Sequence, residues 1–350
     1  MEKKYYDGTK ILNLLDLNKQ KPEVYFITTN RSAGKTTWFS RYMIKRFLQH
    51  GEKFMLLYRY SYELQGVSDK FFKDIQGLFF PDYVMMDKPH KMYTELRIQP
   101  IDESEEPVCC GYAVALNTAE NVKKLSHLFS DTARIFMDEF QSETNKYCSD
   151  EIIKFQSIHT SVARGQGSHV RYVPVIMCAN AITLLNPYFI AFGVTKRLKA
   201  DTKFLRGEGF VLESGYVESA AQAQSSSAFN RSLSDSKYVA YSTQNIYLHD
   251  NYAFIDTPKG RGVYRATIKY LDAMYSIVEY PADGVVYVSN SFDATFPTRI
   301  SVTTDDHNIN YVMLQQYTWL IKVMRWYFEK GCMRFKNLEC RDALISMIKY

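Results

Sequence analysis

The residues best suited to chemistry lie near the amino terminus, where Asn30, Arg31, Ser32, Ala33, Gly34, Lys35, Thr36 and Thr37 follow one another without interruption. An apolar run, VYFITT, leads into them, and a helical pattern, WFSRYMIKRFLQ, leads away. Strand, loop and helix in that order form a cradle for phosphate groups, because the loop amides and the helix amino terminus all present N–H groups to an anion. Gly34 lets the backbone approach the phosphates, Lys35 reaches the β- and γ-oxygens, and the Thr36 hydroxyl serves Mg²⁺. The expected nucleotide-binding stretch is Thr29 to Thr37. The full motif, G-x-x-x-x-G-K-[ST], calls for glycine at position 29, where this chain has Thr29. Threonine suits that entry only if its backbone angles are ordinary.

A second apolar run, ARIFMDEF, ends in the acids Asp138 and Glu139. At the carboxyl edge of a sheet, Asp138 can hold a metal through water opposite Thr36. Glu139, expected on the other side of the pleat, can deprotonate an attacking water. A water-activating glutamate suits ATP hydrolysis, whereas a small-molecule kinase must keep water away. Other positions carry a functional and an ordinary reading side by side. Asn180, closing VPVIMCAN, either senses the γ-phosphate or makes a strand-end turn. Arg164, in HTSVARGQGSHVR, either stabilises transition-state charge in a neighbouring subunit or is a surface arginine. Arg59 ends the second strand candidate, where its position alone suggests contact with nucleotide or relay of its state. Lys123 and Lys124, expected in a loop before the acidic strand, suit a DNA phosphate backbone or plain solvation.

These groups need a scaffold that brings several strand ends together. Up to about residue 215, VYFITT (24–29), KFMLLYRY (53–60), YAVALNT (112–118), ARIFMDE (133–139) and RYVPVIMCAN (171–180) alternate with helical stretches. Runs apolar on both faces suit a mostly parallel α/β sheet whose ligands bind beyond the carboxyl ends, with the loop and acid motifs on adjacent strands. The small, polar stretch from 217 to 236 reads as a linker or exposed helical connector. Beyond it, YAFIDT, GVYRATIKYL, MYSIVEY, GVVYVSN and TRISVTT are short strand candidates, followed by helical stretches over 306–330 and 337–349. The expected division is an ATPase domain over 1–215, a connector over 216–250 and an α+β domain over 251–350.

Length and composition agree with this plan. A chain of 350 residues, 46% of them hydrophobic, can bury two cores. The six cysteines show neither a metal-binding nor a disulfide spacing, so free thiols are expected. No apolar run spans a bilayer and the first residues lack a signal peptide, which points to an intracellular location. A net charge of +5 permits a nucleic-acid partner without demanding one.

The series SAGKTT, FMLLYRYSYEL, CGYAVALNTA, IFMDEF and CANAITLLNPYF resembles the genome-packaging ATPases of small short-tailed phages with protein-primed linear genomes, compact relatives of large-terminase motors. The likeness is nearly continuous over the first half and weaker through SVTTDDHN and GCMRFKN. It implies an additional-strand, RecA-like P-loop ATPase domain and an RNase H-like second domain without nuclease activity. It implies a ring, a pentamer, at the portal of a prohead in the host cytoplasm, driving double-stranded DNA with ATP and Mg²⁺, with a packaging RNA as a further possible partner. By the same likeness Lys35 and Thr36 hold nucleotide and metal, Asp138 binds the metal, Glu139 is catalytic, and Arg164 is a trans-acting finger. Lys123 or Lys124 matches a basic residue of the family. In the second domain Asp256, Glu279, Asp283, Asp293, Asp305 and Asp306 show no metal-cluster spacing, and Lys259, Arg261, Arg265, Arg325, Arg334 and Lys336 are docking candidates. Competing readings are a helicase or conjugative pump, a virion or portal component that binds nucleotide without hydrolysis, and a phosphotransferase. Duplex preference, ATP turnover and acceptor dependence separate them.

Overall fold

The computed structural model describes residues 5–165, 169–195, 197–198, 202–233, 236–244 and 254–348. It divides into two units, Met1–His249 and Asp250–Tyr350. In the first, α1 (Thr9–Leu12) precedes β1 (Val24–Thr29), α2 (Lys35–His50), β2 (Lys53–Tyr58) and α3 (Val67–Phe79). Then come β3 (Tyr83–Pro89), β4 (Thr94–Pro100), β5 (Val108–Ala115), α4 (Ala119–Lys124), β6 (Thr132–Asp138), α5 (Glu151–Val162) and β7 (Val175–Asn180). The unit closes with α6 (Pro187–Ala191), β8 (Phe204–Gly207), β9 (Phe210–Ser214), α7 (Glu218–Ser226), α8 (Ala228–Ser232) and α9 (Lys237–Gln244).

These strands form one nine-stranded sheet in the order β3-β4-β5-β2-β6-β7-β1-β9-β8. From β5 to β9 the neighbours are parallel, and antiparallel pairs close both edges. Strand β1 is buried along its whole length and β7 up to Asn180, because helices cover both faces. On one face Phe26, Phe140, Phe155, Tyr188 and Phe189 pack together; on the other, Phe39, Phe54, Phe71 and Ile75 do. Helix α2 buries Phe39, Met43 and Ile44, one helical stripe. It stops at Gly51, whose φ of 68° provides the left-handed cap that satisfies the Phe47 carbonyl.

Four expectations change here. The motif strands β1 and β6 are not adjacent: β7 lies between them and pairs with both. Glu139 is not on the pleat, because the strand ends at Asp138 and Glu139 turns left-handed with φ 58°. Lys123 and Lys124 form the last turn of α4 rather than lying in a loop. Of the two readings of the stretch after residue 216, the helical one holds over the described residues, as α7 to α9, but these helices fall within the first unit instead of standing apart from it. The hairpin β3–β4 and strands β8 and β9 have no counterpart in the expected list. They are short or alternate with charged residues, such as Asp87, Lys88, Glu95 and Arg97, so they lack the long apolar signature of the central strands.

The second unit has β10 (Val263–Tyr270), β11 (Ala273–Tyr280), β12 (Val285–Ser289), β13 (Arg299–Ser301), β14 (Val312–Met313), α10 (Thr318–Glu329), β15 (Met333–Phe335) and α11 (Leu338–Met347). The sheet order is β14-β13-β10-β11-β12-β15, with an antiparallel meander β10–β11–β12 extended by parallel strands on both sides. The expected helix over 306–330 is shortened to α10, and β15 intervenes before α11. The YAFIDT candidate lies partly outside the described residues; within them it contributes one bridge, Ile255 to Phe335.

The six acids of this unit have local duties where partners are seen. Asp306 accepts the Leu271 and Asp272 amides at 2.7 and 2.8 Å, Glu279 pairs with Arg265, and Asp293 and Asp256 cap the residues that follow them. Among the described residues, no three His, Cys, Asp or Glu side chains converge as a metal-binding group. Of the basic docking candidates, Arg325 donates to the Ile348 carbonyl, Arg334 to the Gly331 and Met333 carbonyls, and Lys336 to Asn290 and Ser291. Lys259 and Arg261 are exposed. All six cysteines are free thiols.

Candidate nucleotide site at the carboxyl edge of the sheet

Parallel pairing brings the ends of β1, β7, β6 and β2 to one edge, and with them Thr29, Asn180, Asp138 and Arg59. Thr29 is the last residue of β1, in register with Asn180, so its backbone is extended and glycine's freedom is not required there. Left-handed angles fall instead at Ser32 (φ 61°) and Gly34 (φ 92°), and the loop passes straight into α2. The space glycine would have left is recovered at Gly215, where an added Cβ would stand 3.2 Å from the Thr29 methyl.

Lys35 is 7% exposed, and its ammonium donates to Asn180 Oδ1 at 2.6 Å. Burial pulls its pKa down, against the opposing pull of Asp138. Asn180 is therefore the side chain that spans the gap made by β7, holding Lys35 where a phosphate oxygen would take its place. Burial pushes the Asp138 carboxyl up, opposed by the Lys35 charge and by a hydrogen bond with Thr36. The Thr36 hydroxyl and the Asp138 carboxylate are thus side by side, a hard-oxygen pair of the kind a divalent cation takes. Glu139 is raised by burial first, then by the Asp138 and Glu143 charges.

The turn carrying Glu139 is built on Arg59, singled out by its strand-end position, and on residues that spacing did not single out. Arg59 is buried and pairs with Glu151 at 3.0 Å. Its guanidinium also donates to the Phe140 carbonyl at 2.8 Å and, more weakly, to the Glu139 carbonyl at 3.4 Å, while its face covers the Tyr147 ring. Glu151, the first residue of α5, further accepts the Tyr188 hydroxyl at 2.9 Å and the Cys148 amide at 2.9 Å. Phe140 is fully buried and its amide bonds the Cys178 carbonyl of β7. Gln141 accepts the Ile182 and Thr183 amides just beyond Asn180. Arg59 thus holds the Glu139 turn through its carbonyls, and it lines the same cavity as Thr36, Asp138 and Glu139. The available signal for Glu151 and Tyr188 was an acid opening a helix and a tyrosine in NPYF, neither specific by itself.

Helices α7 to α9 hold the loop from its other side. Asn30 exchanges two hydrogen bonds with the Val217 backbone, at 3.1 and 2.9 Å, and Gln224 donates to Ser32 Oγ at 2.9 Å. Arg31 pairs with Glu143 at 3.0 Å and lies over the Tyr238 ring. Ala33 accepts the Tyr6 amide through its carbonyl.

Arg164 lies at the opposite edge. Helix α5 starts at Glu151 beside the catalytic turn, and twelve residues carry it roughly 18 Å across the sheet. Its end is fixed where Arg171 donates to the Val162 carbonyl and to the Thr132 carbonyl at the start of β6. Arg164 follows, exposed, bridged to Val170, and cannot reach the phosphate loop of its own chain. Residues 166–168 of that stretch lie outside the described ones. Lys123 and Lys124 are exposed on α4.

The family model for the podovirus DNA encapsidation protein (Gp16) matches residues 1–349. The chain belongs to that family. The DNA packaging proteins of Bacillus phages PZA and phi29 are each 23% identical to it over 93% of this chain and 92% of theirs. Among solved structures, the phi29 viral genome packaging motor assembly aligns over 99% of this chain and 98% of its own with a TM-score of 0.69 at 21% identity. The phi28 gp11 DNA packaging motor aligns over 98% and 97% with a TM-score of 0.60 at 14% identity. At these identities the likeness establishes that this encapsidation protein shares their fold across both units.

Two outcomes follow from the site. If Glu139 is the base that accepts a proton from the attacking water, activity should be lost as pH falls through its raised pKa. The acid limb of kcat/KM is therefore expected above the ordinary glutamate range and should move to lower pH in Glu143→Gln, which removes one raising charge. Arg59→Lys is expected to lower kcat by about tenfold or more while leaving the KM for ATP nearly unchanged, because a displaced turn misplaces the attacking water. Tyr188→Phe should show a weaker form of the same split. A parallel change in KM would mean that Arg59 acts on the nucleotide itself.

Proposed function

We propose that this encapsidation protein is an ATP hydrolase that drives double-stranded DNA into a phage prohead. The observation that carries the reading is the junction at one sheet edge of a phosphate loop, a buried Lys35 held by Asn180, and the Asp138–Glu139 pair. Thr36 and Asp138 would hold Mg²⁺, which supplies charge neutralisation at the β- and γ-phosphates. Lys35, released from Asn180, binds the γ-phosphate oxygens, and the loop from Thr29 to Thr37 wraps the remaining ones. Glu139 takes a proton from the attacking water, and Asn180 is left to orient that water or report the γ-phosphate.

Arg164 completes the site of a neighbour. Finger and loop stand on opposite edges of the sheet, which favours head-to-tail contacts between copies, the interface type that closes into rings. A pentamer at the portal, possible help from a packaging RNA, and work in the host cytoplasm accord with the family's encapsidation role. Among the described residues, no helix is long and apolar enough to cross a membrane. The second unit is read as an RNase H-like domain without cleavage, supported by its antiparallel meander with parallel extensions and by acids engaged in backbone caps.

Wild-type protein should hydrolyse ATP faster with duplex DNA than without, and Glu139→Gln should lose roughly a hundredfold or more of that rate while still binding ATP. Equal rates for the two proteins would overturn the motor reading. Arg164→Ala is expected to bind ATP yet lose about a thousandfold in turnover, with partial recovery on mixing with Lys35→Ala subunits. Failure of every mixing ratio to restore activity would place the role of Arg164 elsewhere.

A further inference from the structure

The hairpin β3–β4 projects from the outer part of the sheet with a concentration of positive charge. Lys88, His90 and Arg97 share one carboxylate, Glu95, at 3.9, 3.6 and 2.7 Å, and the exposed Lys91 stands at the tip. Antiparallel pairing of Thr94 with Ala113 puts that tip at the carboxyl edge of the sheet. The tip is fixed there by rings: His90 stacks on Tyr93 at 4.4 Å, and Tyr93 meets Phe129 edge-on at 5.4 Å. Phe129 follows α4, whose last turn carries the exposed Lys123 and Lys124. Tyr93 thus joins the hairpin to the segment that follows α4; Lys88, Lys91 and Arg97 stand on the hairpin with Glu95, and Lys123 and Lys124 stand on α4 with Glu120.

This surface is tied to the catalytic turn. The Ser68 amide donates to Asp87 of β3 at 2.9 Å, and the Thr94 hydroxyl of β4 donates to the Leu64 carbonyl at 3.3 Å. Leu64 ends a short helical turn, Ser61–Leu64, that begins two residues after Arg59. Arg59 in turn holds the Phe140 carbonyl, and its own carbonyl accepts the Asn117 amide just before α4. Hydrogen bonds thus join the hairpin, and the residues before α4, to the segment that carries Arg59, whose side chain holds the Glu139 turn.

We propose that the hairpin tip, with Lys88 and Lys91, and the end of α4, with Lys123 and Lys124, form the surface that contacts the phosphate backbone of duplex DNA, and that Thr94 and Leu64 transmit this contact to Arg59. The inference rests on the packaging reading above and gives it a grip. Lysines supply point charges without base-reading forks, so the contact is independent of sequence.

The test uses full-length protein and mixed-sequence duplex. Lys88→Glu with Lys91→Glu should weaken duplex binding more than tenfold and remove DNA stimulation of ATP hydrolysis. Unchanged ATP affinity and unfolding midpoint would show that the variant is folded. With alanine at both positions, the slope of log affinity against log salt should fall by about two. A charge-matched control at exposed lysines of the second unit, Lys322→Glu with Lys330→Glu, should retain stimulation. Thr94→Val should bind duplex normally yet lose most of the stimulation. If wild-type protein neither binds duplex nor responds to it, the packaging reading falls. If wild type responds and the hairpin variant matches it, or the control loses as much, the hairpin surface is wrong. Full stimulation in Thr94→Val would remove the transmission route alone.

Discussion

Everything at the functional edge depends on one spacing, the insertion of β7 between the strand of the phosphate loop and the strand of the acids. Neighbouring strands stand about 4.8 Å apart, so two intervals open roughly 10 Å between Thr29 and Asp138. That is room for a phosphate chain, a cation and a water. An adjacent pairing would close it. The gap must be bridged when no phosphate fills it, and the Lys35–Asn180 hydrogen bond does so, satisfying a buried ammonium that would otherwise be costly. In the proposed mechanism Asn180 exchanges this partner for water or phosphate when nucleotide binds.

The second constraint is the turn at Glu139. A left-handed glutamate is uncommon and persists only when its surroundings over-determine it. Phe140 is sunk in the aromatic core, Gln141 is bound by two amides, and Arg59 occupies the carbonyls from beneath. Arg59 can be buried there because Glu151 neutralises it and Tyr188 fills a remaining acceptor position on Glu151. Such a network stabilises position more than the fold as a whole: removing either charge would strand the other in low dielectric. It also links three distant segments, the end of β2, the start of α5 and the NPYF turn, to the placement of one carboxylate.

The loop is held from outside as well as from below. Hydrogen bonds from Asn30 and Ser32 to α7 mean that the phosphate loop and the helices that follow β9 share their order. Those small polar helices bury little apolar surface of their own; Ala221 is the buried residue of α7. Their placement owes more to these polar contacts than to a core. The loop is thus a point where nucleotide, helices and acids meet, while the second unit keeps its own core around Ile268, Ile277, Val288 and Phe335.

The sequence by itself determined the local chemistry. Gly34, Lys35 and Thr36 after a wholly buried strand, and Asp138 at the end of another, are legible because their backbone surroundings are short-range and strongly patterned. The five central strands were legible for the same reason. What tertiary structure decided was adjacency. Pairing between parallel strands is set by packing across the whole sheet, so nothing near residue 138 announces that β7 stands between it and residue 29. The alternation of charges that hid the β3–β4 hairpin is what an edge strand needs in water, and the turn that aims Glu139 is held by Arg59, Glu151 and Tyr188, which meet only when the chain has closed.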